Sequence, residues 1–291
     1  MDPVSVFRLR REDTLHRRDL LSAGCTPNGI ARAVHTGRLV RVRRGWYCLP
    51  EAHAHIQRAV RVGGRATCIS AAQVAGLWVP PHKDTHISMQ HRASRLRNPD
   101  DRFARRGPDD VCELHWWPPS TNGRNGAVAI TDALAHVLRC QDRLMAIAVL
   151  DSAIHERLVR AGTLDAIFAE VPARLQALRP QLDGRAESGL ESVARTLIRD
   201  AGLRCEPQVV LPGIGRCDLL VEGCVVVETD GVLGHDDSVE SRRRHYERDA
   251  AVASRGITPL RFRYAQVLHR PEEMMAAVIA AVRSHRRGPV L

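Results

Sequence analysis

Arg216-Cys217-Asp218-Leu219-Leu220-Val221, followed by Val225-Val226-Val227-Glu228-Thr229-Asp230-Gly231, reads as two apolar strands that carry carboxylates. Side chains alternate along a strand, so Glu228 and Asp230 leave the same face. Their apolar neighbours draw the strand into a sheet interior, where a carboxylate is costly unless paired or bound to a cation. An upstream helical segment, Ser188 to Ala194, adds Glu191, and His235 follows four residues after Gly231. An acid on a helix, an Asp on one strand and Glu-x-Asp on the next have the layout of a hard-cation site for phosphodiester cleavage.

The turn between the strands decides whether this site can form. With Glu222-Gly223 as a two-residue turn, Asp218 faces Val227 and leaves the sheet opposite to Glu228. A three-residue loop or a bulge sets Asp218 against Glu228, on one face. The position of Gly223 favours the short turn, whereas a cation site requires the longer connection, which we expect. Mg²⁺ (or Mn²⁺) is the expected cofactor, because it activates water and neutralises phosphoryl charge through one or two carboxylates. Asp218 and Glu228 are the expected direct ligands. Glu191 would hold a second ion or orient a metal-bound water. Asp230 would bind metal or hold a nearby base, and His235 would act as general acid or base. Taken singly, Glu187 and Glu191 also fit a solvated helix face, and Asp230-Gly231 a turn.

Around these strands the pattern gives a helix over about 187–201, strands at 207–211, 216–221 and 224–230, and a helix over about 238–254. A strand at 257–263 follows, whose Pro259 suggests an edge or a bulge. Pro271 then opens a terminal helix to about Ser284. The order is αβββαβα, a mixed sheet flanked by helices.

The first fifty residues read differently. Thr14 to Ala23 predicts a helix stopped by Gly24. Thr26-Pro27 opens a second helix, with Thr as N-cap and Pro at the first helical position. Asn28, Arg32 and His35 share its outer face, and Ile30, Ala33 and Val34 its inner face. Leu39 to Arg43 and Trp46 to Leu49 form a hairpin around Arg44-Gly45, pairing Arg43 with Trp46 and Val42 with Tyr47. That register places Val40, Val42, Tyr47 and Leu49 on the core face and Arg41, Arg43 and Trp46 on the open one. Helix, glycine turn, helix and basic hairpin make a winged helix-turn-helix. Its outer helix face would enter the major groove of double-stranded DNA, with Arg41, Arg43 and Arg44 on phosphate or in the minor groove. A winged helix used for protein contact is the alternative.

Residues 51–180 yield helices at 56–62, 70–77, 131–139 and 144–157 and strands at 85–89 and 111–116, an α/β scaffold without assigned chemistry. His82, His86, His91 and His115 match no metal spacing, and Trp116-Trp117 face opposite ways on a strand, so one belongs to a core.

The chain has 291 residues and a net charge of +10. Residues 1–50 contain ten Arg and four acids, residues 181–291 sixteen of each. A polyanion is therefore expected at the N-terminal end. Lys83 is the single lysine, so no catalytic lysine is expected in the acidic site. The eight cysteines form no CxxC pair, which argues against a zinc ribbon. With no export signal and no run of about 20 apolar residues, a reduced, cytoplasmic protein with no membrane partner is expected.

Two stretches resemble known families. "HRRDLLSAGCTPNGIARAVHTGRLVRVRRGWYCLP" is similar to the N-terminal winged helix of AbiE-family antitoxins, which implies promoter binding, autoregulation and a cognate toxin of a type IV toxin–antitoxin pair. The middle region looks like the linker domain of actinobacterial proteins of this arrangement. "ESGLES", "GRCDLLVEGCVVVETDGVLGH" and "RRRHYERDAAVASRGITPLRF" resemble the PD-(D/E)XK superfamily, in its branch similar to very short patch repair endonucleases. That resemblance gives Glu191 the helix-borne acid position, Asp218 the metal Asp, Glu228 the acid of the E-x-K triplet and His235 the histidine after the strand. It sets Arg248 and Asp249 on a helix motif and Arg261 on the final strand. Asp230 departs from it by occupying the lysine position.

The expectation is an α+β multidomain protein. It comprises a winged helix-turn-helix (1–50), an α/β middle domain (51–180) and a C-terminal αβββαβ restriction-endonuclease-like domain (181–291). The function expected is DNA binding with metal-dependent endonuclease action. The alternative is a non-enzymatic repressor or antitoxin whose nuclease fold is inert.

Overall fold

A computed structural model describes residues 1–120, 123–231 and 239–287. The chain is a mixed α and β protein, with three sheets among the described residues. It divides into two compact units, Met1–Gln141 with Ala161–Leu175, and Asp142–Arg160 with Gln176–Leu291. Position 50, expected as a boundary, lies inside the first unit, and position 180 inside the second.

The first unit begins with α1 (Pro3–Arg10), which the sequence reading passed over. Its signals are local: Asp2 caps it through a bond from the Ser5 N–H at 3.2 Å, and Pro3 opens it. The expected helix from Thr14 starts later. Thr14–His16 is instead strand β1, paired with the hairpin, and α2 covers Arg17–Ser22. His16 ends the strand and caps the helix, since its Nδ1 accepts from the Arg18 N–H and its own N–H donates to Asp19. Next come α3 (Pro27–His35), β2 (Val40–Arg43) and β3 (Trp46–Cys48), giving a sheet in the order β1-β3-β2.

The hairpin pairs Arg43 with Trp46 as expected, but Arg41 pairs with Tyr47 and the register shifts between Arg41 and Arg43. Val42 is the extra residue of this bulge. The bulge lets the hairpin bury both faces. Tyr47 and Leu49 join the core of α1, α2 and α3, whereas Val42 and Cys48 pack with Ala52 and Val60. Trp46, expected on an open face, is partly buried against that second cluster.

The unit continues through α4 (Ala54–Val62), β4 (Arg65–Ala66), α5 (Cys68–Val74), β5 (Thr85–Ser88), β6 (Cys112–His115) and α6 (Ile130–Cys140). Strands β4 and β5 are antiparallel, and β5 and β6 parallel. The chain then passes through α7 (Arg143–His155) of the second unit and returns as α8 (Ala161–Ala169).

The second unit adds α9 (Gly189–Asp200), β7 (Cys205–Leu211), β8 (Gly215–Val221), β9 (Val225–Asp230), α10 (Val239–Ala253), β10 (Thr258–Arg263), α11 (Tyr264–Leu268) and α12 (Pro271–Arg287). The sheet order is β10-β9-β8-β7, with β10 parallel to β9 and the other pairs antiparallel. Pro259 sits on the edge strand, where its missing N–H interrupts no second ladder. On α9, Arg195 is only 1 % exposed and meets the buried Asp151 of α7 at 2.6 Å. This buried pair satisfies two groups that would be costly alone.

Candidate DNA-binding face and acidic site

Thr26 caps α3 by accepting from the Gly29 N–H at 3.0 Å. Ile30 and Ala33 point into the core, and the helix period leaves Asn28, Arg32 and His35 exposed together. Arg41 and Arg44 are also exposed. Arg43 is not available in the same way. It is half-buried, and its Nη1 donates to the Val62 carbonyl at 2.9 Å across the C-terminus of α4. Gly63 has φ +115°, which favours glycine there, and a Cβ at that position would displace the Arg43 guanidinium, 1.6 Å away. Burial, then the neighbouring Arg97, lowers the Arg43 pKa. Arg43 therefore ties the hairpin to α4 instead of pointing at a phosphate.

The sequence reading missed Arg17 and Arg18. With Arg41 and Arg44 they line a groove of about 430 Å³ between the start of α2 and the hairpin tip. Their signal was the Arg-Arg pair at the start of a short helix, obscured because the strand β1 was read as helix.

In the second unit the β8–β9 turn spans three residues. The ladder pairs Val221 with Val225, Leu220 with Val226 and Leu219 with Val227. Continued by one step, this register sets Asp218 against Glu228, on one face. The Asp218 carboxylate accepts from the Thr229 N–H at 2.9 Å. Burial raises the Glu228 pKa to about 7, and the charge of Asp218 adds to this. Burial first, then Asp218, raises that of Glu191, and Asp218 is also raised, chiefly by burial. Like charges thus feel one another across α9, β8 and β9.

Each carboxylate also has a protein partner. Glu228 meets Arg248 at 2.9 Å, and Asp230 meets Arg261 at 3.1 Å. Arg261 also approaches Asp249 at 3.6 Å. Glu191 accepts from the Glu187 N–H at 2.9 Å and from Gln208 at 2.7 Å, while Ser188 caps α9. His235 lies outside the described residues. Among the described residues, one group of three or more metal-ligating side chains has its ligand atoms within 4.8 Å of one another. It is Cys68, His86, His115 and Cys140, not the four acids. Two of the histidines whose spacing fitted no metal motif are therefore brought together with two cysteines.

Residues 6–50 match the family described as a transcriptional regulator, AbiEi antitoxin. The matched segment runs from α1 to the hairpin and contains Asn28, Arg32, His35, Arg41 and Arg44. The chain matches no curated protein. No helix among the described residues is long and apolar enough to cross a membrane.

Proposed function

We propose that this chain is a DNA-binding transcriptional regulator of the antitoxin type, with a winged helix-turn-helix at its N-terminus and a toxin as the partner of the encoded pair. What supports the reading is the exposed set Asn28, Arg32 and His35 on α3 beside the exposed hairpin arginines, within the segment similar to AbiEi regulators. In this reading α3 enters the major groove and reads base edges. Arg41, Arg44 and the α2 arginines hold phosphates. The test is binding of the full chain to DNA from its own upstream region. Arg32→Ala is expected to weaken binding by about 1–3 kcal/mol and relax specificity, whereas Arg44→Ala weakens all sequences alike and lowers the salt slope by about 1. Unchanged affinity in both variants would overturn the reading.

One observation favours a second reading, a PD-(D/E)XK-like nuclease site in the last 111 residues of the expected boundary set (181–291). Three carboxylates on adjacent elements, Glu191, Asp218 and Glu228, are all pushed upward by burial, with like charge contributing at Glu191 and Glu228. A divalent cation relieves that combination. The residues to hold Mg²⁺ or Mn²⁺ are Asp218 and Glu228, with Glu191 beside them, and the cation supplies charge neutralisation for phosphodiester cleavage. Arg248 would have to release Glu228. Nicking of plasmid DNA in Mg²⁺ or Mn²⁺, lost in Asp218→Ala and Glu228→Ala, supports this reading. Intact plasmid in both ions removes it and leaves the regulator.

A further inference from the structure

Apart from both DNA readings, the first unit gathers four soft and borderline ligands from four elements. Cys68 is the first residue of α5, His86 lies on β5, His115 on β6 and Cys140 ends α6. The parallel register pairs His86 with Glu113, so His115 is its diagonal neighbour on the same sheet face. Their rings stand 5.2 Å apart, and Nδ1 of His86 lies 3.0 Å from Nε2 of His115. The Cys140 Sγ is 3.7 Å from the same Nδ1. Cys68, His86 and His115 are buried, and Cys140 is half-buried. We propose that Cys68, His86, His115 and Cys140 form a closed, tetrahedral site for a structural Zn²⁺ ion.

The geometry supports this quantitatively. Zinc bonds of about 2.0 Å to nitrogen and 2.3 Å to sulfur imply tetrahedral edges of roughly 3.3 Å between nitrogens and 3.5 Å between nitrogen and sulfur. The two observed separations bracket those edges within a few tenths of an ångström. Two cysteines and two histidines complete the coordination, so no position remains for a reacting water, which is the mark of a structural site. The surroundings supply what such ligands need. Gln141 Nε2 donates to the Cys140 Sγ at 3.2 Å and the Cys68 Sγ at 3.5 Å, as donors around zinc thiolates do. Cys68 sits at φ +51°, a conformation that costs a non-glycine residue about 1 kcal/mol or more and persists only where its surroundings impose it. Spacings of 18, 29 and 25 residues between the four explain why no short motif announces the site.

The test uses the full chain purified under reducing conditions without chelator. The expected result is about one zinc per chain, retained in Cys224→Ser and lost in Cys140→Ser and His86→Ala. Replacement by Co²⁺ in the unsubstituted chain should give a thiolate-to-metal charge-transfer band, which needs no variant to fold. Alkylation should spare Cys68 and Cys140 until a chelator is added. A reduced, folded chain that takes up neither Zn²⁺ nor Co²⁺ overturns the proposal, as does recovery of Cys68–Cys140 as a disulfide in place of metal.

Discussion

Arg43 and Arg44 are adjacent, alike in charge and different in role, because the hairpin bulge turns one inward. Arg43 donates to the Val62 carbonyl, whereas Arg44 stays exposed at the tip. Arg43→Ala is expected to lower stability by about 1–2 kcal/mol while leaving the salt dependence of DNA binding nearly intact. Arg44→Ala should do the reverse, and paired denaturation and salt titrations check the contrast. Glu228 gives a pH prediction with a definite sign. Its folded pKa of about 7 lies above the ordinary 4.5, so the folded chain holds this proton more tightly than the unfolded one. Stability therefore falls as pH rises from about 4.5 to 7 and stays low above that. Glu228→Gln should flatten that fall by about 3 kcal/mol, measured as the midpoint of urea unfolding across this range.

At the scale of elements, local signals and packing divide the work. The α3 helix is announced by Thr26-Pro27 and by its apolar period, and it forms as expected over Pro27–His35. Thr26→Ala removes the acceptor for the Gly29 N–H and should cost about 1 kcal/mol, with Thr26→Ser restoring most of it. Thermal unfolding and DNA affinity measured on the same samples would show whether helix stability and binding fall together. Strand β1 was misread because Thr14-Leu15-His16 is too short to show a period. It becomes a strand through its partner β3, and no local preference decides that. The β8–β9 connection shows the same limit, since Glu222 with φ +51° and Gly223 with φ +70° accommodate a three-residue loop that composition alone did not favour.

For the whole molecule, the two units invite separate experiments. If zinc holds α5, β5, β6 and α6 together, a chelator should speed amide exchange by tenfold or more across 68–140 and leave 189–230 unchanged. Equal acceleration in both segments would indicate general destabilisation and not loss of a local cross-link. Net charge also separates the ends of the chain, with ten Arg against four acids in residues 1–50. The sequence alone determined the helices with clear caps and apolar period, the apolar strands of the acidic site and the exposed face of α3. These depend on interactions within a few residues, which the order of amino acids encodes directly. Only tertiary structure decided that Arg43 faces inward, that arginines pair Glu228 and Asp230, and that Cys68, His86, His115 and Cys140 converge. Each depends on groups brought together from distant segments by burial and strand register, and neither distance nor orientation between such groups is written in local order.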